Sequence, residues 1–104
     1  MINIKTSGYS ISAEGHAGYA EYGKDIVCSA VTGLLYTAAE CVRKNEASGK
    51  IVTMEVTLES GHAVIKCVPD RAYCGELKIV FETIITGLEI VADMYPEYVH
   101  IENF

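Results

Sequence analysis

Ile2 and Ile4 alternate with polar neighbours at the start of the chain, and this two-residue period predicts a strand over Met1–Lys5. Ser7-Gly8 reads as a turn, and Tyr9–Ala13 as a second short strand. Between Glu14 and Lys24 the period is lost. Gly15, Gly18 and Gly23 punctuate a segment that reads as a loop, and loops of this length in compact domains tend to be functional or mobile. From Asp25 the spacing turns helical. Val27, Ala30, Val31, Leu34, Leu35, Ala38, Cys41 and Val42 fall on one predicted apolar face. Asp25 is a suitable N-cap, and Arg43 and Lys44 suit the negative pole near the helix end. Ser48-Gly49 breaks the pattern, after which Val52, Met54, Val56 and Leu58 alternate with polar residues as in a half-buried strand. Ser60-Gly61 signals a hairpin, Ala63–Val68 the returning strand, and Pro69-Asp70 its stop. A second helix is predicted from about Ala72 to Met94, with Leu77, Val80, Phe81, Ile84, Ile85, Leu88 and Val91 on its apolar face and Pro96 beyond its end. Tyr98–Glu102 reads as a last strand. Gly87 inside the second helix costs roughly 1 kcal/mol relative to alanine. Close packing against a neighbour and a simply tolerated glycine explain it equally well.

The resulting order, ββαββαβ, predicts an α+β fold: a mostly antiparallel sheet with two main helices packed on it. The length of 104 residues suits one domain, residues 1–104, and the 50% apolar content suffices for a core without metal or disulfide staples. No segment reads as a membrane span or a signal peptide, so no membrane association and a cytoplasmic location are expected. The formal charge of −6 disfavours direct nucleic-acid binding and is compatible with a basic partner. Cys28, Cys41, Cys67 and Cys74 contain no CxxC pair, so reduced thiols are expected, with no zinc site and no cofactor.

The residues with chemical potential cluster in GHAGYAEYGKDIVCSAV. If Asp25 caps the first helix, Cys28 stands at its third position. There the free backbone N–H groups and the positive end of the helix dipole favour a thiolate. The plainer reading of Cys28 is a small apolar residue beside the core stripe. His16, at the far end of the loop, could accept the thiol proton and return it to a leaving amine, since an imidazole ionises near neutral pH. Alone, it reads as a solvent-exposed loop histidine. Asp25 reads first as the cap and second as a group orienting the imidazole. Ser29 and Thr32 near the helix start could contact substrate or simply be surface polarity. Tyr9, Tyr19 and Tyr22 surround the loop, where they could line a pocket for apolar side chains or fix the loop to the domain. Cys41 is assigned to the core and Cys67 to the sheet. Cys74 opens the second helix much as Cys28 opens the first, and is the competing nucleophile. His62 and His100 have no cysteine near them in sequence.

The stretch GHAGYAEYGKDIVCSAVTGL resembles the signature of the bacterial ribosomal-processing cysteine proteases, Prp. Gly15, His16, Ala17, Tyr19, Gly23, Asp25, Ile26, Val27 and Cys28 match in order, and the likeness extends over the whole chain. The resemblance implies Cys28 as nucleophile and His16 as general base. Gly15 and Asp25 would support them, and Tyr19, Tyr22, Ser29 and Thr32 would lie toward the substrate. It further implies a small homodimeric domain that removes the N-terminal extension of a basic large-subunit ribosomal protein. Prophage-encoded relatives of this family act on a phage structural protein instead. Ser29 and Thr32 depart mildly from the family's frequent alanine and serine, which puts any particular role for Thr32 in doubt. The rival reading is a non-catalytic, ribosome-associated interaction module, which would use the same acidic surface and tyrosines to bind a basic protein without cutting it.

Overall fold

A computed structural model describes residues 1–104. The elements are β1 (Ile2–Thr6), β2 (Ser10–Glu14), α1 (Ile26–Ala47), β3 (Ile51–Glu59), β4 (His62–Pro69), a 3₁₀ turn (Arg71–Tyr73), α2 (Cys74–Met94) and β5 (Val99–Asn103). The fold class is α+β. The five strands form one sheet in the order β3-β4-β2-β1-β5. Three neighbouring pairs are antiparallel, and β5 lies parallel to β1 at the far edge.

Alternation along the strands sends one set of side chains to the core. Ile2 and Ile4 of β1, Ile11 and Ala13 of β2, Ala63, Ile65 and Cys67 of β4, and Val99 of β5 are buried. Against them pack Val27, Val31, Leu35, Ala38, Ala39 and Val42 of α1 and Leu77, Phe81, Ile84, Leu88 and Ala92 of α2. Asn3, Lys5, Glu14, Lys66 and Glu55 occupy the opposite phase and are exposed, so the second face of the sheet is largely polar.

Four details depart from the sequence reading. Ala39 is buried, whereas Ala30 is exposed and Cys41 only half-buried. Ala30 and Cys41 lie on nearly the same line of the helix, at the rim of the core stripe rather than within it. Along β3, Val52 is 64% exposed and Met54 40% exposed. β3 is an edge strand with a register shift between Ile51 and Thr53, and Val52 is the extra residue at that bulge. Tyr9 does not join the loop; it lies at the opposite end of β2, edge-on to Phe81 at 5.9 Å. Finally, α1 is apolar enough over 18 residues (mean hydropathy 1.3) to meet the length and composition of a membrane span. In this fold that apolarity is spent on the sheet, which α1 covers with its buried face.

Gly87 is a close-packing position. A Cβ there would come within 2.8 Å of Leu34 Cδ2, so the glycine lets α2 approach α1.

Candidate active site

α1 begins where a carboxylate stops the loop. Asp25 is the N-cap, with extended backbone (φ −85°, ψ 99°), and its Oδ1 accepts the Cys28 amide at 2.8 Å. Its Oδ2 accepts the amides of Tyr19 at 3.0 Å and Ala20 at 3.3 Å. One side chain therefore fastens the middle of the Gly15–Lys24 loop to the mouth of the helix. The Cys28 amide, assisted by those of Ala20, Tyr19 and Val27, holds the Asp25 carboxyl below the usual carboxylate range against the opposing effect of desolvation. Both oxygens are occupied by backbone, and Asp25 makes no hydrogen bond to His16.

Cys28 is half-buried on the first turn of α1, beside the core. His16 reaches the same place from the end of β2. Its position follows from the β2–β4 pairing, in which Glu14 stands opposite His62, and from the bond that continues it, Gly15 N–H to Gly61 carbonyl at 2.9 Å. Gly15 has φ +96°, and a side chain there would run into the Met1 carbonyl. The His16 carbonyl in turn accepts from the Met1 nitrogen at 2.7 Å. The imidazole rests on the β3–β4 hairpin so closely that a Cβ on Gly61 would lie 2.8 Å from Nε2.

His16 and Cys28 line one cleft of about 790 Å³, together with Asp25, Tyr22, Ser29 and Thr32. Gly18, Ala20, Gly23, Gly33 and Ser60 complete its walls. Tyr22 is 99% exposed at the rim. Tyr19 does not line the cleft. Its ring stands edge-on to Tyr95 at 5.7 Å and Tyr98 at 5.2 Å, which pins the loop to the segment after α2. Ser60 and Gly61, legible in the sequence only as a turn, are the site residues that sequence reasoning missed. Their relation to His16 arises from strand pairing, for which the local sequence carries no signal.

The remaining thiols and imidazoles lie elsewhere. Cys74 is the first residue of α2, its sulfur turned back 3.6 Å from the Asp70 carbonyl, and the Tyr9 hydroxyl donates to the Cys74 carbonyl at 3.1 Å. Partial burial and the neighbouring Cys74 push the Tyr9 phenol up. Burial pushes the Cys67 thiol up as well. His62 pairs with Glu14 and His100 with Glu102 on exposed strands. A second groove of about 460 Å³, bordered by Ser10, Glu55, Lys66 and Val68, contains no histidine. All four cysteines are free, and no three His, Cys, Asp or Glu side chains converge as a metal site.

A thiol on the first turn of a helix and an imidazole that line the same open cleft are the pair of side chains a cysteine peptidase requires. The family described as "Cysteine protease Prp" matches residues 1–100, and the chain belongs to that family. Ribosomal processing cysteine protease Prp of Mycoplasma pneumoniae is 29% identical over 103 residues, covering 99% of this chain and 95% of the relative. Its Mycoplasma genitalium counterpart is 30% identical over 105 residues, covering 99% and 96%. The fold matches that of the S. aureus ribosomal processing protease Prp crystallised with a covalently linked product peptide, with TM-score 0.81, 20% identity and full coverage of both chains. The S. aureus enzyme with a substrate peptide matches at TM-score 0.76 and 19% identity, again over both whole chains. Membership of this family sets aside the reading as a non-catalytic interaction module.

Proposed function

We propose that this chain is a cytoplasmic endopeptidase that removes the N-terminal extension of a basic large-subunit ribosomal protein. The observation that carries the reading is the meeting of Cys28 and His16 in one cleft in a member of this protease family. The names of the Mycoplasma relatives support the ribosomal substrate. The net charge of −6 favours approach of a basic protein, an attraction that salt weakens.

In this mechanism His16 takes the proton of the Cys28 thiol, and the sulfur attacks the scissile carbonyl carbon. As the tetrahedral intermediate collapses, the C–N bond breaks. The amine leaves with the proton from His16, and a thioester remains on Cys28. Water, deprotonated by His16, then attacks the thioester. The new carboxylate leaves, and the thiol is restored. The Cys28 amide is held by Asp25, so we assign the oxyanion donors to amides of the loop that lines the cleft, at Gly18 and Tyr22–Gly23. Asp25 holds that loop in place rather than orienting His16. Ser29, Thr32 and Tyr22 face the substrate, and Tyr19 acts through the loop.

We assign the functional unit as a homodimer. The reading is supported by the exposed apolar residues Ile79 (66%), Ile90 (54%) and Met94 (64%) on one side of α2, which a second copy would cover.

The test is mass spectrometry of the ribosomal protein with its extension, incubated with wild type, Cys28→Ala and His16→Ala. A shortened product from wild type alone is expected. Cleavage retained by Cys28→Ala would refute the assignment.

A further inference from the structure

The loop that walls the cleft is fastened on the side turned away from it. Gly18 and Ala20 line the cleft, while the ring of Tyr19 between them lies against Tyr95 and Tyr98. Both contacts are edge-on, with interplanar angles of 76° and 80°, so the positive edge of one ring meets the negative face of another. The backbone of the same residue is held from the other direction, its N–H donating to Asp25 Oδ2 at 3.0 Å. Tyr19 therefore ties the mouth of α1 to the C-terminal end of α2. The seat under its ring is itself fixed. Tyr95 follows the last residue of α2, and its N–H donates to the Val91 carbonyl at 2.9 Å. Pro96 sets φ in the turn that follows, and the Tyr98 N–H closes that turn onto the Tyr95 carbonyl at 2.9 Å. The Tyr98 carbonyl accepts from the Ile2 N–H at 2.9 Å, and the neighbouring Met1 nitrogen holds the His16 carbonyl. Tyr95 and Tyr98 are both half-buried against the core. One short segment, Met1–Ile2, thus supports the backbone of His16 and the seat of Tyr19 together.

We infer that Tyr95 and Tyr98 are positioning residues for the cleavage: through the ring of Tyr19 they hold the loop amides of Gly18 and Tyr22–Gly23 at the cleft. Every contact in this clasp lies within the chain, so the loop is seated before substrate arrives. The role rests on the protease reading above and on the oxyanion donors assigned there to the loop. Two edge-on ring pairs together correspond to about 5- to 150-fold in the ratio of seated to released loop. A loop released from the clasp carries its amides away from the developing oxyanion. The transition state then loses donors that the bound substrate does not use, so the loss falls on kcat rather than on KM.

The test measures kcat and KM on the ribosomal protein with its N-terminal extension, at a temperature where the enzymes compared are folded. Tyr19→Ala, which removes both ring contacts, should lower kcat by about tenfold and leave KM nearly unchanged. Tyr95→Leu and Tyr98→Leu keep an apolar side chain against the core but lose one ring pair each, and should lower kcat by about threefold. Tyr98→Phe keeps the ring and should match wild type. The double variant Tyr19→Ala/Tyr98→Leu should be no slower than Tyr19→Ala, because Tyr98 acts only through that ring. In the enzyme without substrate, hydrogen exchange at the amides of residues 19 and 20 should quicken about threefold in Tyr98→Leu. Losses that multiply in the double variant, a slow Tyr98→Phe, or exchange at residues 19 and 20 that slows only when substrate is added would overturn the clasp and leave the protease intact. Tyr19 stands on the exposed loop, so if a leucine variant fails to fold, Tyr19→Ala and Tyr98→Phe decide, and a Tyr19→Ala enzyme with wild-type kcat overturns the clasp. A folded wild type that does not cleave would instead overturn the protease reading, and the positioning role with it.

Discussion

Replacing Gly61 with alanine tests whether the hairpin positions the imidazole. Gly61 has φ +74°, and the new Cβ would lie 2.8 Å from Nε2 of His16. Ordinary contact begins near 3.4 Å, so the ring has to move by about 0.6 Å. Misplacing a catalytic group by about 1 Å can cost on the order of 10²-fold, so a displacement of this size predicts roughly a tenfold loss of kcat/KM. The substitution also forces a side chain into left-handed backbone, at a cost of about 1–2 kcal/mol in stability.

Gly49 separates these two effects. Its φ of +78° is nearly the same, and a Cβ there meets nothing within 4 Å. Gly49→Ala should therefore lose a similar amount of stability, a Tm decrease of about 4–15 °C for a domain of this size, while keeping the wild-type cleavage rate. The assay is cleavage of the extended ribosomal protein at a temperature where all three proteins are folded, with Tm measured in parallel. Equal activity in Gly61→Ala and Gly49→Ala would refute the argument that His16 needs its seat on the hairpin. A Gly61→Ala enzyme that is as stable as wild type but slow would refute the strain estimate alone.

Cys74→Ala should cleave at the wild-type rate in the same assay, because its sulfur faces the Asp70 carbonyl and lies outside the cleft. Phe81→Ala should lower stability by about 3–5 kcal/mol in a denaturant titration, since Phe81 is 2% exposed at the centre of the α2 contact with the sheet. Asp25→Asn should be less stable than wild type at neutral pH, with a gap that closes in acid. The Asp25 carboxyl is lowered in the folded state, so its contribution is complete above its unfolded pKa, near 4, and fades as pH falls through the lower folded value. Thermal melts from pH 7 to pH 2 read this directly, and a gap that widens in acid would reverse the sign. Cys67 should be alkylated more slowly than the other three thiols at pH 8, because burial disfavours its thiolate; peptide mapping after timed alkylation gives the order.

The chain disclosed its elements where side chains act on their own neighbours. The period of 3.6 located α1 and α2, Asp25 marked the first of them, and Ser60-Gly61 marked a turn. The same logic failed where neighbours come from far along the chain. Val52 and Met54 have the alternation of a half-buried strand, but β3 is an edge, and no pattern within Ile51–Glu59 records that nothing pairs beyond it. Tyr9 and Tyr19 are ten residues apart and read as one cluster, yet the sheet sends Tyr9 to Phe81 and the loop sends Tyr19 to Tyr95 and Tyr98. The site divides along the same line. Cys28 and Asp25 are three residues apart, and one helical turn relates them. His16 gains its place through a non-local pairing in which β2 lies beside β4, Gly15 bonds to Gly61, and the glycine admits the ring. In the proposed mechanism the helix therefore positions the nucleophile through local sequence, while the sheet positions the base through distant pairing. It follows that substitutions at the hairpin should slow cleavage by moving the imidazole, whereas substitutions at Asp25 should loosen both the helix mouth and the loop amides it holds, and so lower stability together with the cleavage rate.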